Sequence, residues 1–194
     1  NRKTLCRLVK DIATYINIPF TVGGGINTTA DVSVLLENGA DKISINTAAV
    51  KNPSLVDELA RYFGSQCVVV AIDIKLIKNE WIVVTHVGRK PTTRNATDWA
   101  KEITERGAGE ILLTSMENDG TKKGFALDIT EAISTTVNIP VIASGGAGTM
   151  QHFADVFFKA KADAALAAGI FHFKEITLAN LKYFLKNQQI PVRT

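Results

Sequence analysis

A strand-to-helix turn written in glycine occurs twice in this chain, at corresponding places. Ile18-Pro19-Phe20-Thr21-Val22-Gly23-Gly24-Gly25 aligns with Ile139-Pro140-Val141-Ile142-Ala143-Ser144-Gly145-Gly146, Pro19 and Pro140 standing 121 residues apart. Further on, Ala40-Asp41-Lys42-Ile43-Ser44-Ile45-Asn46-Thr47 aligns with Ala162-Asp163-Ala164-Ala165-Leu166-Ala167-Ala168-Gly169, Asp41 and Asp163 standing 122 residues apart. A unit of strand, glycine turn, helix and strand therefore recurs at nearly constant spacing. That limits the fold sharply. Strands joined through helices pair in parallel, and a two-fold repeat of such units describes a barrel made of two half-barrels.

The rest of the chain keeps the same rhythm. Leu5, Leu8, Val9, Ile12 and Ile16 fall at helical spacing and predict a helix over 4–16. Helices are also expected over 28–37, 54–62, 97–106, 128–136, 149–159 and 178–186. Asn52-Pro53 reads as an N-cap with proline at the first helical position, and Thr97 as the cap of the helix after it. Strands are expected over 19–22, 42–46, 67–73, 110–115, 140–144 and 164–168. Residues 74–87 predict a two-stranded excursion turning at Lys78-Asn79-Glu80. None of the six main strands alternates cleanly between polar and apolar, as a half-exposed antiparallel sheet would. The reading is a single α/β domain over 1–194, a (β/α)8 barrel.

A barrel needs four strands per half. The later half has four and the earlier half two, with one helix ahead of them. The count predicts that two strands and a helix of a typical ~250-residue barrel are not in this sequence, which agrees with Asn1 rather than Met at its start. The other reading is an open six-stranded sheet, complete as it stands.

Composition excludes several classes. Apolar residues are 46% and charged residues 21%, which excludes a disordered chain. The net charge is +3 with no basic run of five or more, so nothing predicts nucleic acid or an anionic membrane as partner. Cys6 and Cys67 are far apart and form no disulfide scaffold or zinc spacing. No stretch is long and apolar enough to span a bilayer. The expectation is a cytoplasmic protein without a metal.

The glycine turns carry the chemistry. Glycine lets main-chain N–H groups approach an anion closely. Gly24 and Gly25 in one copy, and Ser144, Gly145 and Gly146 in the other, therefore predict two phosphate sites, each turn alone being equally a tight strand-to-helix connection. Asn46 and Thr47 end the strand beside the first turn; Ala168 and Gly169 do so beside the second, small residues that leave the backbone free to complete each cradle. Neither a G-x-G-x-x-G nor a G-K-[ST] pattern can be read, which disfavours dinucleotide and P-loop folds. Asp73 ends an apolar strand, where a barrel puts its active site, and is a candidate general acid or base; its alternatives are an N-cap or a partner for Lys75. Asp119, in Asn118-Asp119-Gly120-Thr121, is either a second acid/base group or an Asx turn. His86, His152 and His172 read as structural. Strand parity puts Lys42, Ser44 and Asn46 on one face and Glu110, Leu112 and Thr114 on one face of another strand. Small interior residues with Lys42 and Glu110 at the far end predict a narrow conduit closed by a charged ring, or a salt bridge plugging the floor.

Seven stretches closely resemble the cyclase subunit family of imidazole glycerol phosphate synthase. They are residues 20–26, 39–50, 69–73, 106–114, 118–124, 142–150 and 162–168, among them Phe-Thr-Val-Gly-Gly-Gly-Ile, Asn-Asp-Gly-Thr-Lys-Lys-Gly and Ile-Ala-Ser-Gly-Gly-Ala-Gly-Thr-Met. The resemblance implies a (β/α)8 barrel of two half-barrels that works without a metal or organic cofactor. It implies conversion of a bis-phosphate, phosphoribulosyl-formimino-aminoimidazole carboxamide ribotide, with ammonia into imidazole glycerol phosphate and aminoimidazole carboxamide ribotide. Asp73 becomes one of two catalytic aspartates and Asp119 a residue near the substrate. Gly25, Asn46 and Thr47 fall at one phosphate; Gly120, Ser144, Gly146 and Gly169 fall near the other. Lys42 and Glu110 match a charged gate where a glutaminase subunit docks and delivers ammonia. The second aspartate and a substrate-binding lysine belong to a strand and its surroundings that these residues do not include, which predicts little activity for this chain alone. The alternatives are the bis-phosphate isomerase of the same pathway and a non-catalytic module that binds phosphate or docks a partner.

Overall fold

The structure is a computed structural model that describes residues 2–193. In chain order the elements are α1 (Arg2–Tyr15), β1 (Thr21–Gly23), α2 (Thr29–Glu37), β2 (Lys42–Ile45), α3 (Thr47–Lys51), α4 (Ser54–Phe63), β3 (Val68–Ile77), β4 (Glu80–Thr85) and β5 (Lys90–Asn95). There follow α5 (Ala96–Glu105), β6 (Glu110–Ser115), α6 (Leu127–Ser134), β7 (Val141–Ser144), α7 (Met150–Phe158), β8 (Ala164–Leu166), α8 (Gly169–His172) and α9 (Leu178–Asn187). Two compact units divide the chain: Asn1–Ala71 with Glu102–Glu110, and Ile72–Lys101 with Ile111–Thr194.

In the first unit β1 pairs with β2 and β2 with β3, both parallel, with Val22 opposite Ile43 and Ser44 opposite Val69. In the second unit β6, β7 and β8 pair in parallel, with Leu113 opposite Ala143 and Ala143 opposite Ala165. Strands that alternate with helices and pair in parallel are the arrangement expected from the repeat, and they agree with the (β/α)8 class.

Residue chemistry explains which face of each strand is covered. In β2, Ile43 and Ile45 are buried while Lys42 and Ser44 are half-buried; in β6, Ile111 and Leu113 are buried while Glu110, Leu112 and Thr114 are half-buried. The predicted parity holds. The first unit's core includes Val32, Ile43, Val56 and Leu59. The second packs Phe125 edge-on against Phe153, with Val156, Ile170, Leu181 and Leu185 in the same cluster.

The duplication is visible in the hydrogen bonds. Asp41 Oδ2 accepts from Phe20 N at 2.9 Å, and Asp163 Oδ2 accepts from Val141 N at 2.9 Å. Each carboxylate ties the start of one strand to the start of the next. Thr28 and Thr149 cap α2 and α7, and both helices have a capping box. The residue that completes the box differs. Asp31 Oδ2 accepts from Asn27 N and Thr28 N, whereas His152 Nδ1 accepts from Gly148 N at 3.2 Å and Thr149 N at 3.3 Å. His152 is thus structural, and accepting through Nδ1 fixes the tautomer with its proton on Nε2.

Four local expectations need correction. Asp73 does not end its strand: β3 continues to Ile77, and Asp73 pairs with Val84 of β4, so it is no N-cap. The excursion has a third strand, β5, paired to β4. Its sequence Lys-Pro-Thr-Thr-Arg-Asn lacks apolar alternation, and its proline suits a strand edge. Asn95 rather than Thr97 caps α5, its Oδ1 accepting from Thr97 N and Asp98 N. Asn52 makes no side-chain cap to α4; its Oδ1 accepts from the Ser54 hydroxyl instead.

The histidine box is testable. Replacing His152 with alanine removes both bonds to the turn ahead of α7 and is expected to lower stability by about 1 kcal/mol. His152→Asp, which copies Asp31, is expected to recover most of that loss in urea unfolding midpoints.

Candidate active site

In the second unit, parallel register brings the ends of β6, β7 and β8 level, Thr114 opposite Ser144 and Ser144 opposite Leu166. The segments that leave these ends enclose a cleft of about 280 Å³. Asp119, Gly120, Ser144, Gly145, Gly146, Ala168 and Gly169, all expected at the site, line it. Lys122, Leu166 and Phe173 line it too, residues to which the sequence motifs assign no role.

The cleft depends on backbone approaching backbone. Gly124 N donates to Gly146 O at 2.8 Å, stitching the 116–124 loop to the turn after β7. A Cβ on Gly146 would lie 2.0 Å from Gly124 O, and one on Gly145 would lie 2.6 Å from Ser115 O. Their φ values of 101° and 89° lie in the left-handed region. Space and conformation therefore both demand glycine here. The loop carries its own support: Ser115 Oγ donates to Asn118 Oδ1 at 2.7 Å, and Asn118 Nδ2 donates to Gly124 O at 2.9 Å. Asn118 takes the tying role considered for Asp119, whose side chain is exposed at the cleft.

Asp73 lies in β3 between Ile72 and Ile74, which are fully buried. Its own side chain is half-buried and stands on the strand's opposite face, with Ala71 and Lys75. Met116 N donates to Ile74 O at 3.0 Å, which sets the start of the 116–124 loop beside this part of β3. Asp73 is not among the residues lining the glycine cleft. A carboxylate on the open face of a rigid strand can exchange protons with a bound molecule.

In the first unit Gly24 and Gly25 follow β1, and Asn46 and Thr47 follow β2, at the same end of a parallel pair. Gly24 and Gly25 have φ of 98° and 68°, and a Cβ on either would meet nothing within 4 Å. They border a small cavity of about 20 Å³ with Leu5, Cys6 and Asp31. The Asn46 amide oxygen is buried without a hydrogen-bond partner. Such an orphaned acceptor costs roughly 1–3 kcal/mol, and a ligand hydroxyl would satisfy it. At the other end of these strands Lys42 Nζ pairs with Glu110 Oε1, with 29% and 20% of the side chains exposed. Lys42 and Glu110 thus form a salt bridge, one of the two readings their sequence positions allow. Among the described residues, no group of three or more His, Cys, Asp or Glu is placed to hold a metal ion, and no helix is long and apolar enough to cross a membrane.

The two sets of glycines should respond differently to a methyl group. Gly146→Ala meets both strain and a carbonyl collision, with an expected loss of about 3 kcal/mol. Gly24→Ala meets strain alone and should lose about 1 kcal/mol. Chemical denaturation of both variants checks the difference.

Residues 1–177 match the family described as histidine biosynthesis protein. The chain is 60% identical over 192 residues to imidazole glycerol phosphate synthase subunit HisF of Flavobacterium johnsoniae, covering 99% of this chain and 76% of that protein. It is 59% identical to the same subunit of Flavobacterium psychrophilum, covering 100% and 77%, and 54% identical to that of Anoxybacillus flavithermus, covering 99% and 77%. A parallel β/α chain with a repeated glycine turn, matched over nearly its whole length, belongs to the histidine biosynthesis protein family, among the HisF cyclase subunits of imidazole glycerol phosphate synthase.

Proposed function

We propose that this chain is the greater part of an enzyme that carries out the cyclase half-reaction of imidazole glycerol phosphate synthase. Ammonia and an open-chain bis-phosphate, phosphoribulosyl-formimino-aminoimidazole carboxamide ribotide, give imidazole glycerol phosphate and aminoimidazole carboxamide ribotide. The observation that carries this reading is the glycine cleft at the ends of β6, β7 and β8, together with its repeat-related counterpart after β1 and β2. A substrate with two phosphates needs two anion sites per chain, and each unit supplies one set of glycine turns.

The residues divide the work by chemistry. Main-chain N–H groups at Gly120, Ser144, Gly145, Gly146, Ala168 and Gly169 suit one phosphate; those at Gly24 and Gly25, with the side chains of Asn46 and Thr47, suit the other. Condensing ammonia with a carbonyl and closing an imidazole ring requires protons to leave nitrogen and reach departing groups. Asp73 is the acid/base group in this reading, and Asp119 a second carboxylate near the substrate. The resemblance assigns another aspartate to a strand that these 194 residues do not contain, so little turnover is expected of them by themselves. Lys42 and Glu110 serve as the ammonia gate, and a glutaminase subunit is the partner that supplies it.

Grafting the chain in place of the 192 matching residues of the Flavobacterium johnsoniae relative gives an enzyme in which the roles separate. Asp73→Asn should leave bis-phosphate binding within a few-fold while slowing ammonium-supported ring closure by at least ~100-fold. A normal rate removes Asp73 from the chemistry. With the glutaminase present, Glu110→Gln should depress glutamine-supported turnover and spare turnover on an ammonium salt. An isomerase would act without ammonia, and a docking module would not bind the bis-phosphate.

A further inference from the structure

Nearly everything that lines the glycine cleft is neutral. Main chain and small side chains dominate it, and the ionisable side chains among the lining residues are those of Asp119 and Lys122. Asp119 repels an anion. A phosphate held there by N–H groups alone would keep its charge uncompensated. Lys122 is the cation among these lining residues, and its backbone is closely packed. Its φ of 58° lies in the left-handed region, uncommon for lysine. The turn ahead of α7 makes room for it: a Cβ on Gly148 would lie 2.3 Å from Lys122 O and 2.6 Å from Lys122 Cβ. Gly148 has no left-handed φ that would otherwise require glycine, so the close approach of Lys122 explains it.

The Lys122 ammonium is already engaged. Nζ donates to both oxygens of Glu175, at 2.6 and 2.8 Å. Glu175 belongs to the segment after α8, and its N–H donates to Ile170 O at 2.9 Å, which ties it to the turn whose Gly169 lines the cleft. The two side chains are 52% and 38% exposed, and an ion pair so open to water is weak. A phosphate dianion is the stronger partner for the same ammonium.

We propose that Lys122 is a phosphate-binding residue of this cleft and that Glu175 is its stand-in anion, displaced when phosphate enters. The inference rests on the functional reading above and extends it to a charge exchange. Glu175 competes for the cation, so the empty cleft keeps its charge balanced. Weakly charged ligands fail to displace Glu175, and the site selects for a phosphate.

Titration calorimetry with inorganic phosphate and with the bis-phosphate tests this on the 194-residue chain. Lys122→Met should weaken phosphate binding by roughly tenfold, and Lys122→Arg should stay within about threefold of the parent. Glu175→Gln should strengthen binding by about two- to fivefold, the sign that a merely structural clasp would not give. Equal affinity in Lys122→Met, or weaker binding in Glu175→Gln, overturns the inference and leaves the functional reading in place. If the parent chain binds neither ligand, the functional reading falls as well.

Discussion

The cleft exists because two carbonyl oxygens, of Ser115 and Gly124, stand where side chains on Gly145 and Gly146 would be. That close packing of main chain on main chain holds the 116–124 loop against the turn after β7. Glycine there puts no side chain of its own at the exit from β7, the kind of exit where main-chain N–H groups suit an anion. The parallel register of β6, β7 and β8 then sets three such exits level. The cation at Lys122 depends on the same packing, since Gly148 yields the space its backbone occupies.

Duplication explains why the architecture is so regular and also where it departs from symmetry. Asp41 and Asp163 make the same strand-to-strand tie, and Thr28 and Thr149 cap equivalent helices. The copies differ in what fills the cap, Asp31 in one and His152 in the other. They also differ at the glycines. Gly24 and Gly25 have open space around them, while Gly145 and Gly146 are wedged against a loop. The cavity beside Gly24 and Gly25 is about 20 Å³, and the cleft at Gly145 and Gly146 about 280 Å³.

Much of this was legible in the sequence. The strand-to-helix rhythm points to parallel strands, and strand parity assigns the faces of β2 and β6, where Ile43 is buried beside a half-buried Lys42. Glycine turns marked the cleft because only close backbone approach explains clusters such as 144–148. What escaped was governed by contacts distant in sequence or by polar strands. The β5 strand is recruited by pairing with β4, not by its own residues. The apolar run points to a strand end at Asp73, although hairpin pairing with Val84 carries the strand on. Lys122 and Glu175, 53 residues apart, carry no local pattern that joins them. The Asn118 tie could have been suspected from its spacing to Ser115, a polar pair three residues apart at the mouth of a strand.

On the proposed function, the chain binds its bis-phosphate substrate by both phosphates. Phosphorus NMR of that substrate, titrated with the chain, addresses it most directly, because its two phosphates report separately. Both resonances should shift together and saturate at one substrate per chain, with amide signals moving after β1 and after β7 alike. A titration in which one phosphate keeps its free position, or in which neither moves, would contradict it.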